Sequence, residues 1–409
     1  MKSEERGVRS EEFSFVIYHS NEESMTAREL LLELLRGGLH ADYVPQIEAV
    51  DERTWQMAYR LAESNTVTGL TFWGVSKLPG ELRPPVGIRT RWLARTAQIG
   101  KTNEHLDETA VKLFKAFEEA GVEAVVMKGQ AVARYYPKPE LRQPGDIDLY
   151  ADAENYRGMN DIVVSFAQQK PDMSRYISLT IAGKHYTNNH GVHLTSVVDG
   201  VHVESHHKFF ACYDATHKKY FEVLLRQAAS EPHRKVNVGN DFIKAFPLWF
   251  DAVYVLAHLF RHFVQEGVGL RQVSDWIMIA CHAASTPQFD RDALARNLDA
   301  LGLLTMARLL CAFAIHNLGF EPDELPLEPL DNPELEHEVV SDIIAGGNWG
   351  RKRIHRPKGT VQGSWYFFNY FIERCRHFRQ LSPRELAHPV RHKLVDKFVK
   401  PFVFRRAEY

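Results

Sequence analysis

The residues best suited to chemistry lie between positions 123 and 150, in E-A-V-V-M-K-G-Q-A-V-A-R-Y-Y-P-K-P-E-L-R-Q-P-G-D-I-D-L-Y. Asp146 and Asp148 alternate there with Ile147 and Leu149. Residues two apart in a strand share a face. The two carboxylates then look one way, and the two apolar side chains look the other way into a core. Paired carboxylates repel unless a cation lies between them, and an oxygen ligand set suits Mg²⁺. Glu204, in V-H-V-E-S-H-H, is a third acid of this kind. Val201 and Val203 would face a core, and His202, Glu204 and His206 the other side.

The elements that must position these acids can be read from the surrounding pattern. A β-prone run at 124–127 ends in Lys128-Gly129, and a helix-prone segment at 130–136 follows. Pro137 and Pro139 stop it, because proline cannot donate to a helix ladder. A second strand runs over 146–150. A helix is expected at 154–169, then strands at 176–179, 183–186, 191–195 and 201–205. Asp199-Gly200 between T-S-V-V and V-H-V-E is a hairpin signal. Upstream, helices are expected at 24–39 and 51–64, and a long helix or two over 89–120. In the last of these, Leu93, Ile99, Leu106, Val111, Leu113 and Phe117 are core candidates. From 247 onward the pattern is helical again.

The ordered set K-G-x-A-x-A-x-x-Y-P followed by L-R-x-x-G-D-I-D-L resembles the bacterial uncharacterised nucleotidyltransferase family of the DNA polymerase β-like nucleotidyltransferase superfamily. The resemblance implies an α+β fold. Its polymerase β-like core, with a mixed sheet, would span 105–230, between a helical N-terminal region at 1–104 and a helical C-terminal region at 231–409. It further implies that Asp146, Asp148 and Glu204 bind metal, two Mg²⁺ ions being expected, with Glu204 as general base or its helper. Lys128 and Gly129 stand where the superfamily has Gly-Ser against the triphosphate. The carry-over therefore holds for the Gly129 backbone. Lys128 could meet a β- or γ-phosphate or pair with an aspartate, and Arg142 could fork onto a phosphate or brace the acidic strand.

A second stretch, A-H-L-F-R-H-F-V-Q-E-G-V-G-L-R-Q-V-S-D-W, also resembles this family. His258 and His262 share a helical face at a spacing that can bind zinc, yet the glutamate of H-E-x-x-H is missing. Packing beside aromatics is the other reading. Arg271 and Asp275, four apart, would form an intrahelical pair, or Arg271 would reach the triphosphate with Asp275 orienting it.

Composition bounds the rest. The 409 residues, 44% hydrophobic and 25% charged, suit an ordinary globular chain of two or three domains. Four scattered cysteines form no CxxC pair, which argues against a zinc or disulfide framework. No signal-like or membrane-spanning apolar run is found, so a cytoplasmic location is expected. Residues 351–409 carry 15 Lys/Arg against 4 Asp/Glu, and the preceding part carries 35 against 48. That basic, aromatic tail could stack on bases, lie on a membrane surface or pack on the chain's own acidic part. Its aromatics recur at core spacing in 365–378, so packing is preferred and nucleic acid is not the expected partner.

The expected activity is Mg²⁺-dependent transfer of a nucleoside monophosphate from a nucleoside triphosphate such as ATP to a hydroxyl of a non-polymeric acceptor, with release of pyrophosphate. Two alternatives stay open. One is a non-catalytic nucleotide-binding or regulatory protein on the same fold, and the other is a phosphotransferase moving the γ-phosphoryl group.

Overall fold

A computed structural model describes residues 25–169, 178–181, 184–187, 193–208, 212–350, 360–387 and 405–406. The chain opens with α1 (Ala27–Leu39), α2 (Glu52–Ser64) and α3 (Thr68–Lys77). Thr26 and Glu29 form a reciprocal capping box on α1, and Asp51 caps α2 through the Thr54 amide. Pro84-Pro85 then leads into α4 (Val86–Glu119), one unbroken helix of 34 residues. The expected boundary at 104 falls inside it. Trp92 and Ile88 at its start pack into the helical cluster, whereas Leu106, Leu113 and Phe117 pack beneath the sheet. One rod thus joins two hydrophobic clusters. Leu93, expected in the core, is 53% exposed. It neighbours the fully buried Trp92, and adjacent helical positions point about 100° apart.

The core follows as β1 (Val125–Val126), the short α5 (Gln130–Ala133), β2 (Ile147–Tyr150), α6 (Tyr156–Phe166) and β3 (Ala167–Gln169). The helix expected over 154–169 therefore ends three residues early, in a strand. Next come β4 (Ser178–Ile181), β5 (Lys184–Thr187), β6 (His193–Val198) and β7 (Val201–His206). Asp199 and Gly200 both have positive φ, 50° and 80°, in the two-residue turn between β6 and β7. The remaining residues of the strands expected at 176–179, 183–186 and 191–195 lie outside the described residues.

After α7 (Ala215–Ser230), β8 (Arg234–Val238) and β9 (Asp241–Ala245) form a hairpin. Position 231 had been read as the start of a helical region, so the sheet reaches further along the chain than expected. The rest is helical: α8 (Leu248–Gln265), α9 (Leu270–Ser285), α10 (Arg291–Ala300), α11 (Leu304–Leu318), α12 (Pro333–Gly346) and α13 (Thr360–His377). A last strand, β10 (Arg405–Arg406), pairs with β5 in a small sheet of order β10-β5-β4.

The main sheet has seven strands in the order β3-β6-β7-β2-β1-β9-β8. It is mixed: β2 runs parallel to β7 and β1 parallel to β9, whereas β1 and β2 are antiparallel. The fold is α+β, with helical flanks on a mixed sheet. One face, carrying Val126, Ile147, Leu149 and Val203, is covered by α4 and α6. Tyr150 and Phe246 instead join the cluster of the helical half. The alternation of β2 therefore turns Asp148 toward the helical half. In α13, Phe371 is fully buried and Trp365 is 64% exposed. The preferred packing reading thus describes part of that helix, and the basic segment after 387 lies, apart from Arg405 and Arg406, outside the described residues.

Candidate active site

Parallel pairing of β2 with β7 sets Asp148 opposite Glu204 and Tyr150 opposite His206. Facing residues in such a ladder have their side chains on the same side of the sheet. His206 Nε2 lies 3.4 Å from Asp148 Oδ1 and 3.5 Å from a Glu204 oxygen. One donor atom from each of Asp148, Glu204 and His206 falls within 4.8 Å of the others. Two carboxylates and an imidazole converging this closely are a chemically sound ligand set for a divalent cation. Asp148 is 4% exposed, and its Oδ2 faces the Lys128 ammonium at 3.0 Å.

Asp146 precedes β2 by one residue and does not join that set of three. Its carboxyl is nonetheless close enough to respond to the others. Burial, then repulsion from Asp148, raises its pKa above the ordinary carboxylate value. For Asp148, burial acts in the same direction but is outweighed by Lys128 and His206, which bring it down to about 2. His206 is raised: burial opposes its charge, and the two carboxylates more than compensate. Asp148 and Glu204 thus converge with His206, and Asp146 feels the charges of Asp148 and Glu204 without joining that group. His206 was legible as a residue on the same strand face as Glu204 and as the histidine of Val203-Glu204-Ser205-His206, which resembles the family's hydrophobic-acid-x-His pattern.

The Lys-Gly turn sits directly beside this cluster. Gly129 has φ 60° and ψ −110° and leads into α5. That backbone region strains any residue with a Cβ. Lys128 Nζ stands 3.0 Å from Asp148 Oδ2 and 3.4 Å from His258 Nε2. Of the two readings for Lys128, the structure displays the aspartate pair. Burial opposes its charge, but Asp148, Asp146 and Glu204 hold its pKa above the ordinary lysine value. His258 is held well below the normal imidazole value, by burial and then by the Lys128 charge. Its ring meets that of His262 edge-on at 4.4 Å, and His262 Nδ1 lies 3.2 Å from Glu266. The pair is packed and hydrogen-bonded rather than arranged around a zinc position.

Arg142 takes the carboxylate that was expected for Arg271. Arg142, 4% exposed, forks onto Asp275 through Nε–Oδ1 at 2.6 Å and Nη2–Oδ2 at 2.8 Å. The Tyr136 hydroxyl donates to the same carboxylate at 2.8 Å. Arg142 therefore braces the loop before Asp146, and the phosphate reading of its fork does not match the geometry. Asp275 is engaged there and not with Arg271. Arg271 instead donates from Nη1 to the Gln143 carbonyl at 3.3 Å, and its buried Nε has no hydrogen-bond partner among the described residues. Burial, then the nearby Arg142 charge, lowers its pKa. An incompletely bonded guanidinium beside the loop that delivers Asp146 is well placed for an anion.

Residues 51–319 match the sequence pattern of a family described as uncharacterised nucleotidyltransferase, which takes in well over half of the 409 residues. The chain belongs to that nucleotidyltransferase family. The matched span contains the Lys-Gly turn, all three acids, the braced loop and Arg271. No curated protein matches the chain. Among solved structures, an antigenic nucleotidyltransferase-like protein from Paracoccidioides brasiliensis is similar at 14% identity, over 47% of this chain and 87% of its own, with a TM-score of 0.27. That superposition is too loose to bear on the fold, which is established by the strand order above. Among the described residues, no helix is long and apolar enough to cross a membrane.

Proposed function

We propose that this family member is a metal-dependent nucleotidyltransferase that moves a nucleoside monophosphate from a nucleoside triphosphate to a hydroxyl of a non-polymeric acceptor, releasing pyrophosphate. The observation that carries the reading is the register of Asp148 against Glu204 on parallel strands, beside a positive-φ glycine turn. Divalent metal, Mg²⁺ in the original expectation, would be held at Asp148 and Glu204, with Asp146 at its margin. When bound, it would polarise the α-phosphate and neutralise charge on the leaving oxygens.

The chain's own groups supply the rest. The Gly129 turn lets the backbone approach the phosphates without a side chain in the way. Arg271 offers the guanidinium for the triphosphate. Glu204, 28% exposed in its side chain and thus reachable from solvent, is the group placed to accept the proton of the acceptor hydroxyl. Lys128, held against Asp148, keeps one edge of that carboxylate neutralised. This last contact also favours a second reading, a nucleotide-binding protein without turnover, because an ammonium group competes with metal for Asp148.

Incubation with each α-labelled nucleoside triphosphate, divalent metal and cell extract separates these readings. Label transfer with pyrophosphate release is expected, and Asp148→Asn should abolish it while the circular dichroism spectrum stays the same. Nucleoside diphosphate as product would instead indicate γ-phosphoryl transfer. Tight nucleotide binding with no labelled product would support the non-catalytic reading.

A further inference from the structure

We propose that His206 is itself a metal ligand, and that the site takes a divalent transition ion such as Mn²⁺ in preference to Mg²⁺. The inference rests on the reading of Asp148 and Glu204 as metal ligands and specifies the ion that they and His206 select. Donor atoms bonded to one small divalent ion at about 2.0–2.2 Å lie roughly 3.0–3.5 Å apart in octahedral or tetrahedral arrangements. His206 Nε2 is 3.4 Å from Asp148 Oδ1 and 3.5 Å from Glu204 Oε2, so two edges of such a polyhedron are already set. The third edge lies within 4.8 Å.

The strand register explains why Nε2 is the atom involved. His206 lies two residues after Glu204 on the same face of β7, opposite Tyr150 of β2. Its Nε2 reaches both carboxylates, Asp148 Oδ1 and Glu204 Oε2. The two oxygens of Asp148 are divided between neighbours: Oδ2 faces Lys128 at 3.0 Å and Oδ1 faces His206. Lys128 therefore leaves open the edge where the imidazole stands. A histidine that only balanced charge would duplicate the ammonium group already present on this carboxylate.

The ligand set then decides the ion. Mg²⁺ favours oxygen ligands in strict octahedral geometry and retains its waters. Imidazole nitrogen favours first-row transition ions, whereas Mn²⁺ also accepts carboxylates and phosphate oxygens. Two carboxylates with one imidazole therefore discriminate against Mg²⁺ without excluding a triphosphate from the remaining positions.

The test reads the ligand directly. Metal-free full-length protein is loaded with Mn²⁺ and examined by pulsed electron paramagnetic resonance for ¹⁴N coupling, and Mn²⁺ and Mg²⁺ affinities are measured by calorimetry. Wild type should show coupling from one directly bound nitrogen. His206→Gln should lose it and weaken Mn²⁺ binding about tenfold or more, with Mg²⁺ binding changed less than about threefold. His258→Gln should keep the coupling. Wild-type protein that binds Mn²⁺ without ¹⁴N coupling overturns the assignment, as does coupling that survives in His206→Gln. Equal losses for both ions overturn the selectivity. Asp148→Asn addresses the underlying reading: wild-type Mn²⁺ affinity in that variant would remove the whole site, whereas loss there with coupling retained in His206→Gln removes only the histidine.

Discussion

Asp275→Asn should be among the most destabilising polar substitutions in this protein, and it should act through Arg142. The asparagine keeps the size of the side chain and can still accept from the Tyr136 hydroxyl. It cannot neutralise Arg142, whose side chain is 4% exposed and whose Nε and Nη2 both lie on the Asp275 carboxylate. Removing one partner of a buried ion pair costs about 3–5 kcal/mol, because the other charge stays buried. Arg271 places this case at the upper end: its charge is felt at Arg142, and Asp275 attracts it as well. In a chain of 409 residues the cost corresponds to a fall in Tm of about 4–6 °C. Calorimetry on the wild type, Asp275→Asn, Arg142→Met and the Arg142→Met/Asp275→Leu double variant gives the full cycle. The double variant should recover most of the loss, since a buried pair exchanged for apolar side chains of similar volume is often neutral. Nucleotide affinity of folded Arg142→Met should change less than about threefold. A loss below about 1 kcal/mol in Asp275→Asn, or a tenfold weaker nucleotide affinity in Arg142→Met at unchanged Tm, would refute the bracing role.

Two further outcomes are expected. Arg271→Ala should raise the KM for the nucleoside triphosphate about tenfold and leave metal affinity nearly unchanged; nucleotide titration and Mn²⁺ calorimetry separate the two, and lowered Tm with unchanged KM would return Arg271 to a structural role. Asp251 predicts a pH effect on stability. Burial lifts its carboxyl from 3.8 to about 7, against the opposing Arg234 contact at 2.7 Å. The folded state then retains a proton that the unfolded chain releases, so this contribution is fully present below pH ~4 and lost as pH rises through about 7. Tm should fall more steeply from pH 5 to 8 in wild type than in Asp251→Asn, and parallel curves would exclude Asp251 as the cause.

The β2 strand was legible because its two requirements coincide: Ile147 and Leu149 are fully buried, and Asp148 alternates with them. The Asp199-Gly200 turn was legible for a similar reason, since both positions need positive φ and both residue types tolerate it. The β8–β9 hairpin carried signals of the same kind, in the alternation of Val236 and Val238 and the positive-φ Gly239. The stretch was nonetheless assigned to the helical C-terminal region from 231, although exposed Lys235 and Asn237 alternate with buried Val236 and Val238 as in a half-buried strand. The partner of Arg142 could not be read, because 133 residues separate it from Asp275. The nearer helical match, Arg271 with Asp275, satisfied every local rule and was displaced by a tertiary contact.

That displacement shows how the site is assembled. Local pattern alone would leave Asp275 on α9 with Arg271 and leave the loop before β2 unsupported. Instead the α9 carboxylate crosses to Arg142 and Tyr136, and Arg271 bonds the Gln143 carbonyl of the same loop. Asn103 of α4 donates to the carbonyls of Glu140 and Arg142 from the other flank. The segment that delivers Asp146 is thus clamped between the helix entering the core and a helix of the C-terminal half. The position of Asp148 follows from the β2–β7 register, whereas the loop before Asp146 is held from both flanks. Removal of α9 would take away Asp275 and Arg271 together, and with them the C-terminal flank of the loop that delivers Asp146.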